Sequence, residues 1–186
     1  LHFLGDDNNK KYHDAYFDQY PGIWHHGDFI KINERGGAYI YGRSDSTLNR
    51  YGVRIGTSEL YRSLDKLPEV VDALVVCIEL PGGHFFMPMF LQLASGIVLS
   101  DALQDKISKA LRSDCSPRHV PDKYYTVDEI PYTLTGKKLE VPVRKLLLGW
   151  PLEKAASRDA MKNPSSLDFF LDYVLTTSDY KVPGYE

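Results

Sequence analysis

An α+β fold is predicted by three observations: two alternating apolar and polar stretches broken by glycines, two apolar runs rich in Val, Ile and Phe, and two helically spaced segments behind capping residues. The expected architecture is a hairpin plus a three-stranded sheet flanked by helices, preceded by a separate β-hairpin. With 186 residues, 43% of them hydrophobic, the chain can bury roughly 70% of its unfolded surface and needs no covalent staple.

Residues 28–34 (DFIKINE) alternate, Arg35-Gly36-Gly37 follow, and 38–41 (AYIY) alternate again, so the glycines supply a hairpin turn. A second hairpin is expected across Thr47–Ile55, turning within Asn49–Gly52. After Gly56, Thr57 or Ser58 is placed to cap a helix with Leu60, Leu64 and Leu67 on one face, and Pro68 stops it. The runs VVDALVVCIEL (70–80) and FFMPMFLQLA (85–94), parted by Pro81-Gly82-Gly83, read as adjacent strands. Ser100 opens a second amphipathic helix with Leu103, Ile107, Ala110 and Leu111 inward. KYYTVDEI (123–130) is a third strand, and the polar TLTGKK (133–138) leads to a short helix around Pro142–Leu148, where proline fits the first turn. Residues 46–150 are thus expected to form one α+β module, following 1–45 and preceding a tail, 151–186, whose LDFFLDYVL (167–175) is a helical cluster.

The 22 Lys and Arg nearly balance 25 Asp and Glu with no block of like charge, so neither nucleic acid nor a membrane surface is an expected partner. Cys77 and Cys115 stand apart without a second pair at metal-ligand spacing, which suggests neither a disulfide framework nor a zinc site. The apolar stretches are too short to span a bilayer and residues 1–11 lack the order of a signal peptide, so a cytosolic protein is expected. Because the chain starts at Leu1, it is expected to be a piece of something larger.

Three segments carry candidate chemistry. In His25-His26-Gly27-Asp28 the carboxylate before a strand can accept hydrogen bonds from paired hydroxyls such as those of a ribose, or it is a turn Asp. The two histidines have no third ligand at useful spacing. Arg43 and Asp45 flank a serine between the hairpins: the guanidinium fork suits a sugar or phosphate, or it pairs locally with Asp45, which lies where a hinge between domains belongs. Gly52 completes a turn or lets something pass close to the backbone. TLTGKK lacks the glycine spacing of a Walker loop, but a lysine there can offer its ammonium to a developing anion; the alternative is a solvated basic turn, and Lys138 is expected to be solvated.

Taken in order, Gly27-Asp28 before a hairpin, Gly42-Arg43-x-Asp45, Gly52-x-Arg54-x-Gly56-x-x-Glu59 and Pro131-x-Thr133-x-x-Gly136-Lys137 resemble the C-terminal third of the acyl-adenylate-forming ligases. That superfamily comprises acyl-CoA synthetases, firefly luciferase and peptide-synthetase adenylation domains. YPGIWHHGDF, GRSDSTLNRYGVRIGTSELY and IPYTLTGKKLEVPV are most similar to its acetoacetate-activating branch, with Tyr132 and Leu134 where acetate-activating members carry arginine-rich residues. The resemblance implies a two-step ligase of ketone-body and lipid metabolism: acetoacetate and MgATP give acetoacetyl-AMP and pyrophosphate, then the CoA thiol displaces AMP. It implies that Asp28 holds the ribose hydroxyls, Arg43 supports the ribose or α-phosphate, and Asp45 is the pivot about which the small domain rotates. It further implies that Gly52 and Arg54 line the path of CoA pantetheine and that Lys137 bridges the substrate carboxylate and α-phosphate during adenylation. The family's phosphate loop, adenine site and acyl pocket are not in these residues, so the isolated chain is expected to be inactive and to need the N-terminal domain of the same protein. Two alternatives stay open: another short-chain acyl-CoA synthetase, and a non-catalytic interaction module with this fold.

Overall fold

In the computed structural model, which describes residues 3–44 and 46–176, the chain divides between residues 45 and 46 into two units. The first holds helix α1 (Lys10–Tyr16) and an antiparallel hairpin of β1 (Asp28–Ile32) and β2 (Ala38–Arg43). The hairpin turns where Gly36 and Gly37 lead one to expect: Gly36 has φ +77°, and Asn33 Oδ1 accepts from the amides of Arg35 at 3.0 Å and Gly37 at 2.8 Å. Helix α1 was not expected from sequence. It forms because the Asp6 carboxylate accepts from the amides of Lys11 and Tyr12, both at 2.9 Å, at a helix start whose donors have no partner within the helix. Burial disfavours that carboxylate, but the backbone donors outweigh it and hold Asp6 below its ordinary pKa. Tyr12 and Tyr16, one turn apart, then meet at a tilt, 5.3 Å between ring centroids.

The second unit opens with a hairpin, β3 (Leu48–Arg50) and β4 (Val53–Ile55), followed by α2 (Thr57–Leu64). Next come β5 (Val70–Val75), β6 (Ile78–Leu80), β7 (His84–Phe86), β8 (Pro88–Leu93), α3 (Asp101–Asp114) and β9 (Lys123–Thr126). Helices α4 (Glu140–Leu147), α5 (Leu152–Ala155) and α6 (Asp168–Thr176) complete it. A three-stranded sheet runs β5-β8-β9, with β5 antiparallel and β9 parallel to β8. The parallel pair requires a crossover, and α3 supplies it.

The apolar runs are nearly continuous because this sheet is covered on both faces. Ala73, Val75, Met89 and Leu91 face α2 and α3, packing with Leu60, Leu64, Leu103, Ile107 and Leu111. Leu74 and Phe90 face the other way, onto Val143, Leu146 and Leu147 of α4 and Phe170 and Tyr173 of α6. Each run is nonetheless cut in two, since β6 and β7 form their own ladder. In the second run the cut falls where the amide of Met87 donates to Asp122 Oδ2 at 2.7 Å, leaving the strand ladder for a side chain.

Both helix starts repay comparison. Ser100 caps α3, its hydroxyl accepting from the amide of Leu103 at 3.3 Å. For α2 the cap is Gly56, not Thr57 or Ser58 as expected: Thr57 already lies inside the helix and is buried, and Glu59 supplies the acidic group of the first turn. Leu67 joins the same core as Leu60 and Leu64, but from beyond the end of the helix.

Candidate active site

Asp28 begins β1, Arg43 ends β2, and the two are directly opposite in the hairpin register. Arg43 Nη1 lies 3.9 Å from Asp28 Oδ1 and donates to the His26 carbonyl at 3.0 Å, while His26 Nδ1 sits 2.5 Å from Asp28 Oδ2. Gly27 makes this possible: its φ is +84°, and a Cβ there would stand 2.7 Å from Arg43 Nη2. The result is a carboxylate and a guanidinium side by side at a strand end, 24% and 54% exposed, able to accept from paired hydroxyls and to donate to phosphate oxygens. The sequence offered Arg43 a sugar or phosphate or else Asp45; the described ion pair is with Asp28, which was not expected, and Asp45 lies outside the described residues.

Gly52 and Arg54 sit on the β3–β4 hairpin, closed by Tyr51 and Gly52 with φ of +52° and +77°, the two positive values that a type I′ turn demands. The Tyr51 ring meets Phe85 edge-on at 4.8 Å. A Cβ at Gly52 would find nothing within 4 Å, so backbone conformation, not crowding by this chain, calls for glycine. Arg54 is exposed, across the ladder from Asn49. The hairpin is fastened from below, where Leu48 and Ile55 are buried and the Cys77 thiol donates to the Asn49 carbonyl at 3.3 Å. Arg50 donates to the carbonyls of Val120 at 2.6 Å and Arg118 at 3.2 Å and pairs with Asp122. Burial pushes the Cys77 thiol up to about 11, which leaves it a poor nucleophile at neutral pH.

Lys137 rides on a tight turn. The amide of Thr133 donates to the Lys137 carbonyl at 2.9 Å, that of Lys137 to Thr133 Oγ1 at 3.0 Å, and that of Gly136 to the Thr133 carbonyl at 2.9 Å. The amide of Leu134 donates to the Ala160 carbonyl at 3.0 Å, tying one side of the turn to residues following α5. Lys137 is exposed, and among the described residues no carboxylate pairs with it, which suits an ammonium that meets an anion from outside.

Lys138, expected to be solvated, is not. Its ammonium donates to Asp72 Oδ1 at 2.5 Å and to the Ala73 carbonyl at 2.7 Å and lies 3.8 Å from the centroid of the Tyr61 ring. Across the turn Tyr132, the bridge partner of Lys138, donates its hydroxyl to Asp72 Oδ2 at 2.6 Å. Burial first, then the neighbouring Asp72, pushes the Tyr132 hydroxyl well above its ordinary value, and burial and Glu140 do the same for Tyr61, so both stay neutral donors. Tyr61 donates to Glu140 Oε1 at 2.6 Å and accepts from the amide of Val75 at 3.2 Å. The one visible hint of this network in the sequence is Asp72 itself, a carboxylate set inside an otherwise apolar run.

The candidates therefore fall into three places: Asp28 with Arg43 in the first unit, and the Gly52–Arg54 hairpin and the Lys137 turn in the second. Among the described residues no group of three or more His, Cys, Asp or Glu is arranged to hold a metal ion, and no helix is long and apolar enough to cross a membrane.

No family model matches the chain. It is 46% identical over 177 residues to acetoacetyl-CoA synthetase of Caenorhabditis elegans, a match covering 94% of this chain and 25% of that protein. Against the Rhizobium meliloti protein of the same name the identity is 41% over 168 residues, again 25% of its length. Among solved structures, acetoacetyl-CoA synthetase from Streptomyces lividans superposes with a TM-score of 0.86 at 46% identity, covering 94% of this chain and 26% of that one. An anthranilate CoA ligase in complex with anthranoyl-AMP, 23% identical with a TM-score of 0.60 over 71% of this chain and 25% of its own, shares the fold. The chain spans about a quarter of the length of the curated proteins it matches, and over that quarter it is similar in sequence to acetoacetyl-CoA synthetases and has the acyl-CoA synthetase fold.

Proposed function

We propose that this chain is the C-terminal part of an AMP-forming acid–thiol ligase that joins acetoacetate to CoA in the cytosol. In the first half-reaction the acetoacetate carboxylate attacks the α-phosphate of MgATP, pyrophosphate leaves, and acetoacetyl-AMP forms. In the second, the CoA sulfur attacks the acyl carbon and AMP leaves. The observation that carries this reading is the similarity to acetoacetyl-CoA synthetases along nearly the whole chain.

Each candidate residue has a part suited to its chemistry. Asp28 accepts from the ribose hydroxyls, and the Arg43 fork beside it donates to the ribose or α-phosphate. Lys137 places its charge between the attacking carboxylate and the α-phosphate, where negative charge accumulates as pyrophosphate departs. Asp45 is the pivot, and rotation about it exchanges the Lys137 turn for the Gly52–Arg54 hairpin, so that one pocket serves two reactions in succession. In the second state Gly52 and Arg54 line the channel of the pantetheine arm.

The test is Lys137→Ala in the full-length protein. Acetoacetate-dependent exchange of pyrophosphate into ATP is expected to fall by roughly 10²–10³-fold, the usual weight of one such donor, while thioester formation from preformed acetoacetyl-AMP is largely retained. Survival of both half-reactions would reduce the turn to a basic surface loop.

A further inference from the structure

The turn that carries Lys137 is stiff at its tip and held at its base. At the tip, three bonds between Thr133 and residues 136–137 make the turn a single body, so its orientation is decided where it joins the fold. At the base, Tyr132 and Lys138 are bridge partners, and side chains at paired positions project to the same side. Both reach one carboxylate: Tyr132 takes Asp72 Oδ2 and Lys138 takes Asp72 Oδ1. Asp72 is offered to them by an irregularity in the β5–β8 register between Val70 and Asp72, and such bulges re-aim a side chain.

The same contacts settle what Lys138 does. An ammonium has three N–H donors, and here two go to Asp72 and the Ala73 carbonyl while the third side faces the Tyr61 ring. Tyr61 is itself fixed by Glu140 and the amide of Val75, so the cation rests on a rigid plate. Lys138 has nothing left for a substrate anion. Two adjacent lysines thus divide the work, one turned outward and one anchoring inward.

We propose that Asp72 is a positioning residue for Lys137: by tying Tyr132 and Lys138, the two ends of the turn, to β5, it sets where the Lys137 ammonium stands. The inference rests on the adenylation role given to Lys137 above. Its force comes from geometry, because a catalytic group displaced by about 1 Å can lose about 10²-fold in rate.

The experiment compares Asp72→Asn, Tyr132→Phe and Lys138→Arg with Lys137→Ala in the full-length protein, measuring each half-reaction separately and amide hydrogen exchange by peptide. In Asp72→Asn the kcat of pyrophosphate exchange is expected to fall by up to about 10²-fold with KM for ATP unchanged, since substrate binding is made elsewhere. Thioester formation from preformed acetoacetyl-AMP should be retained, and faster hydrogen exchange should be confined to residues 132–138. Tyr132→Phe should show the same pattern more weakly, and Lys138→Arg, which keeps the charge, should preserve most of the rate. If Lys137→Ala abolishes exchange while Asp72→Asn and Tyr132→Phe match the parent, the inference is overturned and the role of Lys137 stands. If both half-reactions fall together and hydrogen exchange rises through β5 and β8, Asp72 is a general stabiliser and the inference is again overturned. An inert Lys137→Ala would remove the catalytic reading, and this inference with it.

Discussion

Gly27 and Gly52 both sit in the left-handed region, at φ +84° and +77°, and differ in what a side chain would meet: at Gly27 a Cβ would stand 2.7 Å from Arg43 Nη2, whereas at Gly52 it meets open space. The left-handed region costs an L-residue roughly 1–2 kcal/mol, so Gly52→Ala is expected to lower stability by about that much, read as a shift in the denaturant midpoint. If the pantetheine arm passes here, thioester formation falls further than adenylation does; equal loss of both would assign the glycine to the turn alone. The turn was legible from sequence through Gly52, although Tyr51 beside it, at φ +52°, is not a residue type that announces a left-handed backbone. The Lys137–Lys138 pair was not legible. Two like residues side by side differ only in the partners brought to them across the fold, and Asp72 and Tyr61 lie far from Lys138 in sequence.

At the scale of elements, periodicity proved a good guide wherever an element faces one neighbour and a poor one elsewhere. Helix α3 shows its spacing and its Ser100 cap openly, and its buried residues are Leu103, Ile107 and Leu111. Between β7 and β8 the only mark on the apolar run is Pro88, because the group that takes the Met87 amide there, Asp122, arrives from beyond α3. Helix α1 was hidden for a related reason: its start depends on Asp6, three residues before its N-cap Asn9. The last helix, α6, was visible as an apolar cluster without a place to go. The fold gives it one: Phe170 is fully buried and meets the Phe90 ring edge-on at 4.9 Å, while Tyr173 donates its hydroxyl to that of Tyr125 at 2.7 Å. Phe170→Ala is accordingly expected to cost roughly 3–5 kcal/mol, measured by thermal or denaturant unfolding.

For the molecule as a whole, the two units differ in core: among the described residues of the first, no hydrophobic side chain is fully buried. Its hairpin leaves Ile30, Ile32, Tyr39 and Ile40 exposed, a concentration of apolar surface that ordinarily lies against a partner. This fits a fragment of a larger domain, and it supports the expectation that the 186-residue chain alone forms no acetoacetyl-CoA from acetoacetate, ATP and CoA. Detectable product from the isolated chain would refute that expectation. The second unit, by contrast, has its own core on both faces of the sheet. The order in which that core is assembled follows from chain direction. All three strands of the sheet have left the ribosome before residues 168–176 are made, and at roughly 5–20 residues per second the interval amounts to a few seconds. During it the Phe90 face has no α6 to cover it, so the nascent protein passes through a stage in which the stacked rings of Phe90 and Tyr125 are open to chaperones and to other chains.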